Sequence, residues 1–139
     1  MAVSYSERPL KDKLGIKDGI DLLVINKPSN YELLISSNNK IVEELEEELE
    51  TELRFEFIHY FVIDYYEILK DFSKLKRHLS YTGTLWISWV KGSFGIKSEM
   101  NENIIRTLGL KEGLVDIKIV AVDDKWSGLK FVWRTADRN

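Results

Sequence analysis

The residues able to do chemistry in this sequence are few and scattered. One cluster lies between Lys91 and Ser98, where the chain reads Lys91, Gly92, Ser93, Phe94, Gly95, Ile96, Lys97, Ser98. Two glycines beside lysines and hydroxyls suit an anion. A phosphate-cradling loop, however, needs the wider Gly-x-x-x-x-Gly-Lys-Ser/Thr spacing so that consecutive backbone N–H groups face the phosphates. The spacing here is too short. A weak anion site built from Lys91, Ser93 and Lys97 is the functional reading. A solvated turn whose glycines serve backbone conformation is the favoured one. A second loop, Asn26, Lys27, Pro28, Ser29, Asn30, follows an apolar run and contains no glycine. Dinucleotide and methyl-donor sites place glycines at that point so that backbone can approach the ligand. The sequence therefore implies no nucleotide cofactor of the usual kind.

The other candidates carry blander roles. His59 lies in an aromatic run and reads as a packed, hydrogen-bonded histidine rather than a catalytic one. His78 falls where a helix dipole favours positive charge. Neither histidine is expected beside a nucleophile, so no Ser–His–Asp constellation is suggested. Asp123 and Asp124 are two carboxylates where calcium takes roughly six to eight oxygens, so a turn role is favoured over a cation site. Trp86 and Trp89 point to opposite faces of a strand, which puts at least one in the core. Trp126, in a turn, is expected to be the most exposed tryptophan and the best placed for recognition. There is no cysteine. Disulfides, thiolate metal sites and cysteine nucleophiles are thereby excluded.

These residues must be positioned by a chain of 139 residues, 44% hydrophobic and 31% charged, which fits one ordinary globular domain spanning 1–139. No apolar run approaches the roughly 18 residues of a membrane helix, and the N-terminus carries no apolar leader, which points to the cytoplasm. The net charge of −3 gives no global attraction to nucleic acid. The charge is uneven, with 8 basic and 15 acidic residues up to Lys70 (−7) and 12 basic and 8 acidic from Asp71 on (+4). Much of the asymmetry comes from the glutamates between Glu43 and Glu52. That run is most simply a solvated face, with a docking patch for a basic partner the minority reading.

A short helix is expected between Pro9 and Gly15. Asp21–Asn26 reads as a buried strand, followed by a helix with Tyr31, Leu34 and Ile35 on one face. The stretch from 36 to 53 is acidic and variable, and Ile41–Leu53 is either a helix or a short strand followed by an acidic turn. Phe55–Ile63, apolar on both faces, is expected to be a central strand. Asp64 caps the next helix, with Glu67 completing a capping box. Its stripe is Tyr65, Ile68, Leu69, Phe72, Leu75 and Leu79, and Gly83 closes the loop that follows. Thr84–Val90 is a strand. Asn101 caps a short helix ending at Gly109. Val115–Val122 and Leu129–Arg134 alternate around the turn Asp123–Gly128 and form an antiparallel hairpin.

Strands alternating with helices imply parallel pairing and right-handed crossovers. The expected fold is α/β, a three-layer Rossmann-like sandwich whose mostly parallel sheet is closed by a C-terminal antiparallel hairpin. The order strand, helix, strand, helix, hairpin resembles the C-terminal half of S-adenosylmethionine methyltransferases, a likeness of topology alone. Such sheets bind ligands beyond their carboxyl strand ends, where the strand order reverses.

Several segments also resemble an uncharacterised bacterial family, domain of unknown function 3052. They are Pro9–Gly19, Phe55–Val62, Gly83–Lys91, Asn101–Leu110 and Gly113–Arg134. Val90 stands where members carry proline, while Trp89 and Lys91 keep the motif's tryptophan and lysine. Asn101, Glu102 and Asn103 match the polar start of a helix. Asp123, Trp126, Ser127 and Gly128 match the hairpin turn. The resemblance implies this fold and this surface, and supplies no activity.

The functional expectation is a non-catalytic cytoplasmic domain that binds a protein or a small, anionic ligand at the carboxyl strand ends. The candidate binding residues are Lys91, Ser93, Asn101, Asp123 and Trp126. The alternative is a small enzyme related to methyltransferases that acts on an anionic substrate, with Lys91 and an acid such as Asp64 lining the pocket. No membrane is implied. Nucleic-acid binding through the basic C-terminal half is the third reading, disfavoured by the acidic run.

Overall fold

The computed structural model describes residues 8–45, 54–92 and 100–138. Its elements in chain order are α1 (Leu10–Leu14), β1 (Leu22–Ile25), α2 (Tyr31–Ile35), β2 (Ile41–Val42), β3 (Phe55–Phe61), α3 (Tyr65–His78), β4 (Leu79–Val90), α4 (Glu102–Lys111), β5 (Leu114–Ala121) and β6 (Trp126–Trp133), followed by one 3-10 turn at Thr135–Asp137. The six strands form one sheet in the order β2-β1-β3-β4-β6-β5. β1, β2, β3 and β4 pair in parallel. β6 is antiparallel to both β4 and β5, so it alone runs against the others. This is the expected mostly parallel α/β sheet with its closing hairpin.

Two apolar layers sandwich the sheet. On one side Ile68, Phe72 and Leu75 of α3 and Ile105 of α4 pack against Ile58, Tyr60, Leu85, Ile87, Leu129 and Phe131. On the other, Leu14, Tyr31 and Ile35 of α1 and α2 cover Leu22, Val24, Phe57, Phe61 and Trp86. β3 contributes to both layers, as its continuous apolar run requires. Trp86 and Trp89 are both buried, one in each layer. Among the described residues no helix is long and apolar enough to cross a membrane.

Several boundaries differ from expectation for identifiable reasons. α3 runs directly into β4, and Leu79 is a strand residue rather than the end of the helical stripe. Gly83 lies inside β4 instead of closing a loop. A Cβ there would sit 2.8 Å from the Phe55 carbonyl oxygen, at the irregular pairing of β3 with β4. α4 continues through Gly109 to Lys111, because that glycine lets the helix approach the Phe131 ring, which a Cβ would overlap. His78 is buried, stacks on Phe55 and bonds from Nδ1 to the Lys74 carbonyl at 2.8 Å. The ambiguous stretch begins as a strand, Ile41–Val42, paired with β1, and residues 46–53 lie outside the described residues.

Candidate functional site at the carboxyl rim

The sheet order reverses between β1 and β3. β1 hands on to β2 on one side, and β3 hands on to β4 on the other. The crevice that such a reversal opens lies beyond Ile25 and Phe61. Its first residue is Asn26, whose φ of 60° puts it in the left-handed region. Asparagine visits that region more readily than most residues with a Cβ. The turn aims its side chain across the crevice. Nδ2 donates to the Phe61 carbonyl at 3.0 Å and to Glu67 Oε1 at 2.9 Å.

Glu67 thus belongs to the crevice and not to the expected capping box. The cap of α3 is Asp64 alone, accepting from the Tyr66 N–H at 3.2 Å. Behind Glu67 the Tyr60 hydroxyl donates to Asp71 Oδ2 at 2.8 Å and lies 3.4 Å from Glu67 Oε1. Burial, and then the Asp71 carboxylate, push the Tyr60 hydroxyl far above the usual phenol range. It stays protonated and serves as a fixed donor. Lys27, in the same turn, lies 2.6 Å from Glu32 and 3.7 Å from Glu43. The bond to Glu32 is the main reason its ammonium holds its proton more firmly than a free lysine. Its charge is compensated locally.

The predicted binding residues come together only in part. Lys91 follows β4, and its Nζ donates to the Asp123 carbonyl at 2.7 Å. Its backbone N–H reaches the Lys125 carbonyl at 2.8 Å. Asp123 Oδ1 accepts from the N–H groups of Lys125 and Trp126, each at 2.8 Å, which is the turn role expected of it. Lys91, Asp123 and Trp126 therefore meet. Trp126 is only 9% exposed and packs edge-on against Phe61 at 4.9 Å, contrary to the expected exposed ring. The hairpin folds it back onto the α1/α2 side of the sheet. Asn101 caps α4, accepting from the Ile104 N–H at 3.0 Å, and among the described residues no hydrogen bond joins it to the other three. Ser93 lies outside the described residues, as do Lys97 and the two-glycine loop beyond Gly92. Among the described residues no carboxylate pairs with Lys91, so its charge meets only a neutral carbonyl.

His59 corrects the expectation that no histidine would lie beside a nucleophile. The parallel pairing of β3 with β4 puts His59 Nε2 2.7 Å from Ser88 Oγ, and α2 brings the Tyr31 hydroxyl to 2.9 Å from Nδ1. All three side chains are fully buried. Burial lowers His59 to about 3, so the ring is neutral. Tyr31 is pushed well above the phenol range by the same burial. This is a satisfied core network with no route for substrate. Its expected packing role stands.

A polar cleft of about 440 Å³, lined in part by Lys11, Asp18, Asp21 and Lys40, lies at the amino ends of β1 and β2. That is the opposite edge of the sheet from the crevice. Among the described residues no group of three or more His, Asp or Glu could hold a metal ion.

The chain matches no family model and no curated protein, so the resemblance to domain of unknown function 3052 rests on the sequence segments alone. Solved structures do match. One is a SAM-dependent methyltransferase from Aquifex aeolicus, at 15% identity and TM-score 0.59, covering 86% of this chain and 85% of that one. Another, from Clostridium acetobutylicum ATCC 824, has 9% identity, TM-score 0.57 and coverage of 94% and 92%. A third is 1,6-didemethyltoxoflavin-N1-methyltransferase from Burkholderia thailandensis, at 10% identity, TM-score 0.57 and coverage of 91% and 79%. The fold is methyltransferase-like. At these identities the likeness is one of fold.

A methyltransferase-like fold implies S-adenosylmethionine, and the residues at the crevice do not fit it in the glycine-turn manner. No residue from Asn26 to Asn30 is glycine, Pro28 lacks an N–H, and the Tyr31 N–H is taken by the Pro28 carbonyl at 3.0 Å. The Asn26 side chain instead bridges the crevice, from the end of β1 to Phe61 and Glu67. The missing glycines are visible in the sequence, whereas the part Asn26 plays is not. The available signal was an asparagine at a strand end, where a left-handed turn is tolerated.

Proposed function

We propose that this chain is a relative of the SAM-dependent methyltransferases that handles an anionic substrate at the carboxyl rim of its sheet. The observation that carries the reading is the sheet itself: a parallel core with order reversal between β1 and β3, and β6 alone antiparallel. The similar solved structures named above support the relationship. The anionic preference rests on Lys91. Its ammonium is oriented by the Asp123 carbonyl and has no carboxylate partner among the described residues. Lys27, by contrast, is engaged by Glu32 and Glu43. Asp64 stands just beyond the end of β3, fixed as the cap of α3.

Calorimetric titration with inorganic pyrophosphate and with nucleoside monophosphates tests the reading. Binding is expected, weakened tenfold or more in Lys91→Ala, since a hydrogen bond to a charged group is worth about 1.5–3 kcal/mol. Binding that is unchanged in Lys91→Ala removes the proposed site.

The second reading is a non-catalytic domain that binds a protein or small ligand. It is favoured by Asn26 bridging the crevice and by the complete burial of the Tyr31, His59 and Ser88 network. Absence of any anion binding, with capture of a defined protein partner dependent on the rim, selects it.

A further inference from the structure

We infer that Asn26 latches the crevice between β1 and β3 shut, and that this chain seats no S-adenosyl nucleoside there. The inference takes from the proposal above only the position of the crevice. The last backbone pair of the two strands is Ile25 with Tyr60. One step further, the Asn26 side chain replaces the next rung by donating to the Phe61 carbonyl. Its second amide proton reaches Glu67 in the first turns of α3. Both donors of the amide are therefore used, and three separate elements are tied together by one side chain.

Behind the tie, Glu67 and Asp71 both face the Tyr60 hydroxyl, whose single proton goes to Asp71 at 2.8 Å, which leaves Glu67 Oε1 to accept from Asn26. Asn26 and Glu67 are both partly buried, so these bonds compete weakly with water. A nucleoside bound at the strand ends would have to break both Asn26 bonds. It would gain few N–H groups in return, because Pro28 has none and the Tyr31 N–H is already bonded. Where the similar fold would place glycines for close approach, this chain has a residue that bridges the crevice.

An amide NMR titration of the full chain with S-adenosylhomocysteine tests this directly. At a ligand concentration of about 1 mM, the expected result is no change at the Asn26 side-chain amide or at the Phe61–Asp64 backbone. Saturable shifts at those signals overturn the inference. A ligand-free readout accompanies it. In Asn26→Gly, hydrogen exchange at Val62, whose N–H donates to the Ser88 carbonyl beside the crevice, is expected to rise about tenfold, as two bonds across the crevice are lost. Unchanged exchange in a folded variant overturns the latch whatever the ligand does. If that variant does not fold, Glu67→Ala removes one acceptor and leaves the backbone turn intact. It is expected to move the Asn26 side-chain signals and raise exchange about threefold; unchanged signals sink the latch. Pyrophosphate binding at Lys91 is independent of all these results, so the two proposals fail separately.

Discussion

His59 Nε2 lies 2.7 Å from Ser88 Oγ, and both side chains are shut away from solvent. The pair has the spacing of a general base and its hydroxyl, yet its chemistry is that of a core. Burial holds His59 near 3, well below the ordinary histidine value of 6.5. The unfolded chain therefore binds a proton that the folded chain refuses between those two values. Stability is lost as pH falls from about 6.5 toward 3. From this group alone, lowering the pH from 7 to 5 is expected to remove about 2 kcal/mol. Urea melts of wild type and His59→Gln at the two pH values isolate that contribution as a difference of differences. An NMR titration that finds His59 protonating near 6.5 would falsify the account.

Ser88 has no function in this reading beyond satisfying His59. Ser88→Ala leaves a buried ring nitrogen without its partner, a change expected to destabilise by about 1–3 kcal/mol. Tyr31→Phe removes the bond on the other side of the ring and belongs in the same range. Denaturant midpoints should fall in both variants while anion binding at Lys91 holds. A loss of binding that exceeds the loss of fold would instead assign the network to the site.

The elements were legible where burial and period agree. Phe55–Phe61, apolar on both faces, could only be a strand between two layers, and the α3 stripe of Ile68, Phe72 and Leu75 fixed which face it turns to the sheet. Residues whose roles depend on distant partners were not legible. Glu67 sits where a capping box would use it, and the three-residue spacing cannot reveal Asn26, 41 residues away, as its partner. Trp126 follows turn residues and looks exposed. Only the antiparallel seat of β6 beside β4 carries it onto Phe61. Ser88 and His59 become neighbours through the β3/β4 register alone.

Gly109 illustrates the same limit and gives a sharp test. A glycine near a helix end suggests termination, but here the helix continues and the missing Cβ admits Phe131. Gly109→Ala would raise intrinsic helix propensity by about 1 kcal/mol. Overpacking against a fully buried ring opposes it, at about 1–3 kcal/mol or more. The expected net result is a lower melting temperature. A rise would show that α4 can shift outward without loss.

Asn101 separates capping from recognition. Its side chain accepts from the Ile104 N–H, and among the described residues no hydrogen bond ties it to Lys91, Asp123 or Trp126. Asn101→Ala is therefore expected to cost about 1 kcal/mol of stability through the lost cap. Asn101→Asp or Asn101→Ser, which keep an acceptor, should restore most of it. At temperatures where each variant is folded, pyrophosphate affinity should match wild type in all three. An affinity that drops in Asn101→Ala and stays low in Asn101→Ser would bring this residue back into the binding site, since restoring the cap would then have failed to restore the function.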